Sequence, residues 1–390
     1  MNKDSKIYVA GHLGLVGSAI WKNLKNKGYT NLIGRTHSEL DLLDQKSTEA
    51  FFAGELPEYV FLAAAKVGGI IANNTYRGEF IFKNLTIQNN VIHNAWKYGV
   101  KKLLFLGSTC IYPKNAPQPM KEEYILTSPL EYTNEPYAVA KIAGIKLCES
   151  YNIQYGTNFI SVMPTNLYGP NDNFDLEKSH VIPALLRKIY LGKCLEEKNW
   201  IAVREDLTKR PVEGIDGKNP QSEILNILKK YGIFYPDTNL SENRKQSTTI
   251  EIWGTGEPLR EFLWSEEMAD ACVYLMEKID FKDIILMQNG SDPDIGSNKK
   301  SLSTPAEIRN THINIGTGKE ITIKSLAELI SKTVGFTGKL AFNTSKPDGT
   351  MRKLTDVTRL HQLGWHHETE IDEGIKKLYS WYLRNHLINK

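Results

Sequence analysis

The chain has 390 residues, 41% of them hydrophobic and 24% charged, with a formal net charge of +3. That length admits two domains, or one large domain with insertions, and the near-balanced charge, with no dense Lys/Arg run, does not call for a nucleic-acid partner. No apolar run reaches the roughly 18 residues that a membrane span needs, and residues 1–6 lead into an apolar run without a secretory pattern, so a cytoplasmic protein without membrane or nucleic-acid partners is expected.

The four cysteines, Cys110, Cys148, Cys194 and Cys272, have no metal-ligand spacing, so no metal is expected and reduced thiols fit a cytoplasm. In chain order, residues 6–10 read as a strand, a glycine run follows at once, and residues 18–27 read as a helix ending at Gly28. Strand, glycine turn and helix let backbone amides approach a pyrophosphate at a helix N-terminus. Gly11, His12, Leu13, Gly14, Leu15, Val16 and Gly17 are therefore assigned to a dinucleotide, with the glycines spaced G-x-x-G-x-x-G. Residues 31–34 read as the second strand, and Arg35 stands where the adenosine ribose is distinguished. A basic residue there suits a 2′-phosphate, so NADP(H) is expected. Asp41 to Asp44 are expected to begin a turn near the adenine.

Residues 59–65 form another apolar run, and Lys66, Val67, Gly68 and Gly69 after it would let backbone lie against the cofactor. Residues 80–98 carry apolar side chains at helical spacing (Ile81, Leu85, Ile87, Val91, Ile92, Ala95), which predicts a helix against the sheet and partly against a subunit partner. Residues 101–106 read as a buried strand ending in Leu106 and Gly107, with Ser108 at its C-terminal end. Residues 137–155 read as a helix on which Tyr137 and Lys141, four apart, share a face. A nearby cation would favour the phenolate and make the phenol a better proton exchanger, while Ser108 could reach the same carbonyl oxygen. That set suits hydride transfer to a ketone, whose oxygen gains charge and needs a proton.

Residues 158–163 read as a further strand, and Pro164, Thr165, Asn166 and Leu167 form a turn expected to border the nicotinamide. The recurring units imply an α/β fold: a Rossmann-like doubly wound parallel sheet over residues 1–170, binding NADP, followed by a smaller C-terminal α/β substrate-binding domain over 171–390. Within the latter, residues 196–249 are rich in Lys and Asn and read as an insertion peripheral to the chemistry, with one amphipathic helix around 224–231. The loops at 252–262, 311–318 and 345–354 place Arg, Lys and Asp among aromatics, which suits a phosphorylated ligand with a planar base.

Several runs carry a closer likeness: residues 62–70 (LAAAKVGGI), 73–76 (NNTY), 108–113 (STCIYP), 134–151 (NEPYAVAKIAGIKLCESY), 164–170 (PTNLYGP), 179–187 (SHVIPALLR) and 260–263 (REFL). With them the chain resembles the GDP-L-fucose synthase family of extended short-chain dehydrogenase/reductases, from Lys6 to about Leu383 apart from the 196–249 tract. The resemblance implies 3,5-epimerisation and NADPH-dependent 4-reduction of GDP-4-keto-6-deoxy-D-mannose to GDP-L-fucose, in a homodimer. It implies Ser108, Tyr137 and Lys141 as the reductase triad, and Cys110 and His180 as the epimerase pair at C3 and C5. Leu106, Gly107, Lys141 and His180 would also border the cofactor. Lys188, Trp253, Arg260 and Asp348 would surround the GDP-sugar. The chain departs from the family at Leu13 and His37, where basic residues are usual, at Trp264 in place of His, and at Lys188 in place of Arg. Some relatives that carry an insertion before the Trp253 motif reduce GDP-4-keto-6-deoxy-heptose, the alternative substrate; retention of Cys110 and His180 favours the bifunctional reading.

Overall fold

Short apolar runs alternate with helices through the first part of the chain, and strands of that kind bury both faces by pairing in parallel beneath helices. The computed structural model describes residues 1–236, 247–288 and 307–387. Strands β1 (Ile7–Ala10), β2 (Leu32–Ile33), β3 (Tyr59–Leu62), β4 (Lys102–Leu106) and β5 (Phe159–Pro164) join Ile313–Ile315 in one sheet. The order is Ile313–Ile315, β5, β4, β3, β1, β2, and every pair is parallel. All residues of β1, β4 and β5 are buried. Because β2 and β3 lie on opposite sides of β1, the winding reverses at β1, and the crevice beyond the C-terminal ends of β1 and β3 is a topological switch point. The fold is the doubly wound α/β arrangement that the strand spacing implies.

Four helices, Leu15–Asn26, Arg77–Lys97, Glu135–Tyr155 and Gln221–Lys230, start earlier than their sequence pattern suggests. The first runs Leu15–Asn26 with Gly14 as its N-cap, so the glycine motif itself supplies the first turn. The helix carrying Tyr137 runs Glu135–Tyr155, with Pro136 in its first turn, where a missing N–H costs nothing, and Gly156 left-handed at φ 66° after its end. Residues 41–44 form the expected turn, Asp44 N donating to Asp41 O at 3.0 Å, and Asp44 then caps the helix Gln45–Glu55, its side chain accepting from Lys46 N and Ser47 N.

The first stretch of chain ends at Leu167, beside the expected break at 170, but two later stretches return to the same unit. Residues 1–167 form a unit together with the described parts of 265–318 and with 355–368; the second unit comprises the described parts of 168–264, 319–354 and 369–387. The reason is long-range pairing. Ile313–Ile315 extends the sheet beside β5, and Lys102 on β4 donates to the end carbonyls of the helix Ser265–Lys278, Leu275 O and Met276 O at 3.0 Å each and Ile279 O at 2.5 Å. A cation at a helix C-terminus is favourable, and burial pushes this ammonium's pKa down.

In the second unit, Thr249–Trp253 pairs in parallel with Lys339–Asn343 and antiparallel with Ile233–Phe234. The helices Val181–Glu196 and Ile323–Val334 share its core; the latter buries Leu326, Ala327, Ile330 and Val334 along one stripe. The described part of the tract 196–249 joins this core. It forms helices Trp200–Lys209 and Gln221–Lys230 and the strand Ile233–Phe234, while 237–246 lie outside the described residues. Val203, Leu207, Val212, Ile224, Leu228 and Ile233 are core side chains.

A buried ion pair ties the tract in. Arg187, fully buried, donates from Nε to Asp206 Oδ1 at 2.8 Å and from Nη1 to Phe174 O at 3.0 Å, and Tyr382 Oη also donates to Asp206. Replacing Arg187 with Leu removes the guanidinium that neutralises a buried carboxylate and should cost about 3–5 kcal/mol. The unfolding midpoint in denaturant measures it, and adding Asp206→Leu should restore much of the loss. A single variant that unfolds with the parent would show that the pair holds nothing together.

Candidate active site

The glycine turn expected to cradle a dinucleotide is built where β1 ends. Gly11 has φ 82°, and a Cβ there would lie 2.8 Å from Ala64 N in the loop after β3. A Cβ on Gly17 would fall 2.0 Å from Gly11 O, so the helix can close onto the turn only without a side chain. Gly14 N donates to Gly11 O at 3.0 Å, and Gly14, exposed, opens the helix. A pyrophosphate fits such a helix N-terminus, and these glycines leave room for it. Leu13 is 66% exposed, whereas His12 folds back: its ring lies 5.4 Å from that of Trp21 and over Gly34, where a Cβ would meet it at 2.6 Å. Leu15 and Val16 are half-buried in the first turn. Arg35, at the end of β2, is engaged by Glu55 Oε1 at 2.6 Å and by Gly34 O at 2.9 Å.

The loop after β3 is held by asparagines that sequence reading leaves without a role. Asn84 Oδ1 accepts from Lys66 N at 3.0 Å while its Nδ2 donates to Lys66 O at 3.0 Å; Asn73 Nδ2 donates to Gly68 O and Gly69 O.

The chemistry-bearing groups of the first unit gather where β4 ends. Ser108 Oγ accepts from Cys110 N at 3.4 Å and caps the short helical turn Thr109–Ile111. Lys141 is buried and donates from Nζ to Leu106 O at 2.7 Å; the Nζ lies 5.7 Å from the centroid of the Tyr137 ring. The helix reaches β4 this closely because Gly144 has no Cβ, which would stand 2.3 Å from Phe105 Cζ. Behind the loop, Tyr112 Oη donates to Asn314 Oδ1 at 2.5 Å and Asn314 N donates to Glu122 Oε1 at 3.1 Å, a buried network that fixes the segment carrying Cys110. Gly107 N donates to Val162 O at 2.8 Å, and Pro164, Thr165, Asn166 and Leu167 continue from β5 at the same edge, Thr165 N donating to Ile315 O at 2.9 Å.

Protonation differs from the sequence expectation. Burial, with the Cys110 charge adding to it, pushes the Tyr137 phenol up, not down. Burial pushes Lys141 down to about 8, and Cys110 opposes this. Desolvation penalises both charged forms. The phenol is thus a neutral acid rather than a phenolate, suited to giving a proton to a developing alkoxide. All four cysteines are buried and unbridged.

The other anticipated side chains lie in the second unit. His180 caps the helix Val181–Glu196 through its backbone; water reaches the ring, yet the surrounding protein displaces enough solvent to push its pKa down. Lys188, on the same helix, is pushed down to about 8 by burial, with Glu251 opposing. Glu251 and Trp253 lie two apart on one strand and so on one face; Trp253 is 56% exposed, with Lys346 Nζ 5.3 Å from its ring. Asp348 is committed to structure: its oxygens accept from Thr255 N at 2.9 Å and Thr255 Oγ1 at 2.8 Å, and Gly254 makes room for it at φ 82°. Arg260 stands beside Asp348 and is pushed down by burial. The unit therefore offers an exposed indole and cations, Lys188, Arg260 and Lys346, suited to a base and phosphates. Among the described residues, no group of His, Cys, Asp and Glu could hold a metal ion, and no helix is long and apolar enough to cross a membrane.

Residues 7–210 and 237–286 match the NAD dependent epimerase/dehydratase family. GDP-L-fucose synthase 1 of Arabidopsis thaliana is 46% identical over 384 residues, covering 98% of this chain and 95% of the relative. Among solved structures, a GDP-6-OMe-4-keto-L-xylo-heptose reductase from C. jejuni is 45% identical, with a TM-score of 0.84 and 99% of each chain covered. A GDP-D-glycero-L-gluco-heptose synthase from Campylobacter jejuni, solved in the presence of NADPH, is 44% identical, with a TM-score of 0.84, covering 98% of this chain and 99% of that one.

Proposed function

The chain belongs to the NAD dependent epimerase/dehydratase family, and on that premise we propose that it is an NADPH-dependent epimerase-reductase converting GDP-4-keto-6-deoxy-D-mannose to GDP-L-fucose. The observation that carries the reading is the grouping of Ser108, Cys110, Tyr137 and Lys141 at the end of β4, on the sheet edge that bears the glycine cradle. NADPH, when bound, supplies the hydride that reduces C4. Tyr137 gives its proton to O4, Ser108 donates a hydrogen bond to the same oxygen, and the Lys141 ammonium stabilises the charge that gathers there. Before reduction the C4 ketone acidifies C3 and C5; the Cys110 thiolate takes a proton from such a carbon and the His180 imidazolium returns one, each then re-equilibrating with solvent. Lys188, Trp253 and Arg260 hold the GDP moiety. Asp348 acts through its grip on the Thr255 loop.

The protein works in the cytoplasm, as its unbridged cysteines suit. It pairs as a homodimer through the helices Arg77–Lys97 and Glu135–Tyr155, which pack on each other and expose Phe82, Ile153 and Tyr155.

A second reading is a GDP-4-keto-6-deoxy-heptose 4-reductase, with or without the epimerisation. The two Campylobacter jejuni relatives carry heptose names at 45% and 44% identity, almost that of the fucose synthase. Supplying the 4-keto-6-deoxy-D-mannose and 4-keto-6-deoxy-heptose GDP-sugars separately with NADPH, and following cofactor oxidation, tests the two. The mannose derivative should give the higher kcat/KM; preference for the heptose would replace the first reading with the second.

A further inference from the structure

Arg35 follows β2 at the position where a dinucleotide's adenosine ribose is read, and there it would meet a 2′-phosphate. It does not stand unengaged. Nη2 donates to Glu55 Oε1 at 2.6 Å, and Nη1 donates to Gly34 O at 2.9 Å. Glu55 is the last residue of the helix Gln45–Glu55, so its carboxylate lies at the helix's negative end, which adds to the pull on a cation. Lys6 shares this helix end: its Nζ donates to Glu55 O at 2.7 Å and to Glu55 Oε2 at 3.2 Å, leaving Oε1 to Arg35. The Arg35 and Glu55 side chains are 35% and 28% exposed, so the pair is open to exchange with a soluble anion. Leu13, 66% exposed, contributes no charge from the glycine motif.

We propose that Glu55 sets the preference for a 2′-phosphorylated dinucleotide by competing with that phosphate for the Arg35 guanidinium. Carboxylate and phosphate both use the guanidinium fork as a two-pronged donor, and a fork turned to Glu55 has fewer donors left for a phosphate. The Glu55 charge also repels the phosphate directly. A dinucleotide with a free 2′-hydroxyl meets neither effect, so Glu55 lowers the discrimination that Arg35 confers. The residue pair is twenty positions apart in sequence, 35 against 55, and it acts on selectivity without touching the reacting atoms.

This inference rests on NADP(H) being the cofactor, and equilibrium binding of NADPH and NADH to the full chain, by calorimetry, separates the two. Glu55→Gln should tighten NADPH about threefold to fivefold, the scale of an exposed ion pair, and leave NADH unchanged. Glu55→Asp, charged but shorter, should give an intermediate gain. Glu49→Gln on the same helix, whose carboxylate is held by Lys97 and Tyr98, should change neither. An unchanged NADPH-to-NADH ratio in Glu55→Gln, with NADPH still bound, overturns the role of Glu55 alone; so does an equal gain in Glu49→Gln, which would reveal a general field effect. Failure of the unaltered chain to bind NADPH overturns the cofactor reading and this inference together.

Discussion

Replacing Tyr137 with Phe should lower ketone reduction about 10²–10⁴-fold, the range lost when a positioned general acid is removed. Dinucleotide affinity should stay as it is, because the cradle of Gly11, Gly14 and Gly17 is built from backbone alone. The size of the loss follows from the state of the phenol. Burial and the Cys110 charge hold it protonated, so each turnover starts with the proton in place. The same reaction should depend on pH through Lys141, whose pKa burial pushes down to about 8. Below that value the group is an ammonium that stabilises negative charge on O4; above it the charge is gone. The rate of reduction should therefore fall as pH rises through about 8, although a free lysine would stay charged to its usual 10.5. Single-turnover rates across that range check this. A Tyr137→Phe protein that still reduces the ketone at the parent rate would remove the phenol from the mechanism.

Replacing Cys110 with Ser should cut exchange of deuterium from solvent into C3 and C5 by about 10²–10⁴-fold. Reduction of a ketone supplied already epimerised should survive. A hydroxyl has nearly the thiol's place but far less tendency to ionise, so it fails as a carbon-acid base while still filling its buried position. The Tyr112–Asn314–Glu122 network holds that loop from behind and does not depend on the sulfur, so the fold should not change. Mass spectrometry of the recovered sugar nucleotide reads the exchange. Undiminished exchange would take Cys110 out of the epimerase role and leave it a packed core residue.

The amino-acid order by itself determined what depends on neighbours in the chain. Alternation of apolar runs with helical segments specified the doubly wound sheet, since parallel strands need a crossover between each pair. The strand, glycines and helix at 7–26 specified a tight turn that closes onto a helix N-terminus, because glycine freedom and helix starts are local properties. Tyr137 and Lys141 were legible as partners because one helical turn joins them. Tertiary structure alone decided whatever requires two distant segments to meet. Arg35 looked like an uncommitted cation until Glu55 came to it. Residues 196–249 looked like a polar excursion until Asp206 met Arg187. The unit boundary looked simple until Ile313–Ile315 paired with β5. The phenol's charge was likewise undecidable in sequence: the cation four residues away argues for ionisation, and only burial, a property of the whole fold, reverses the sign.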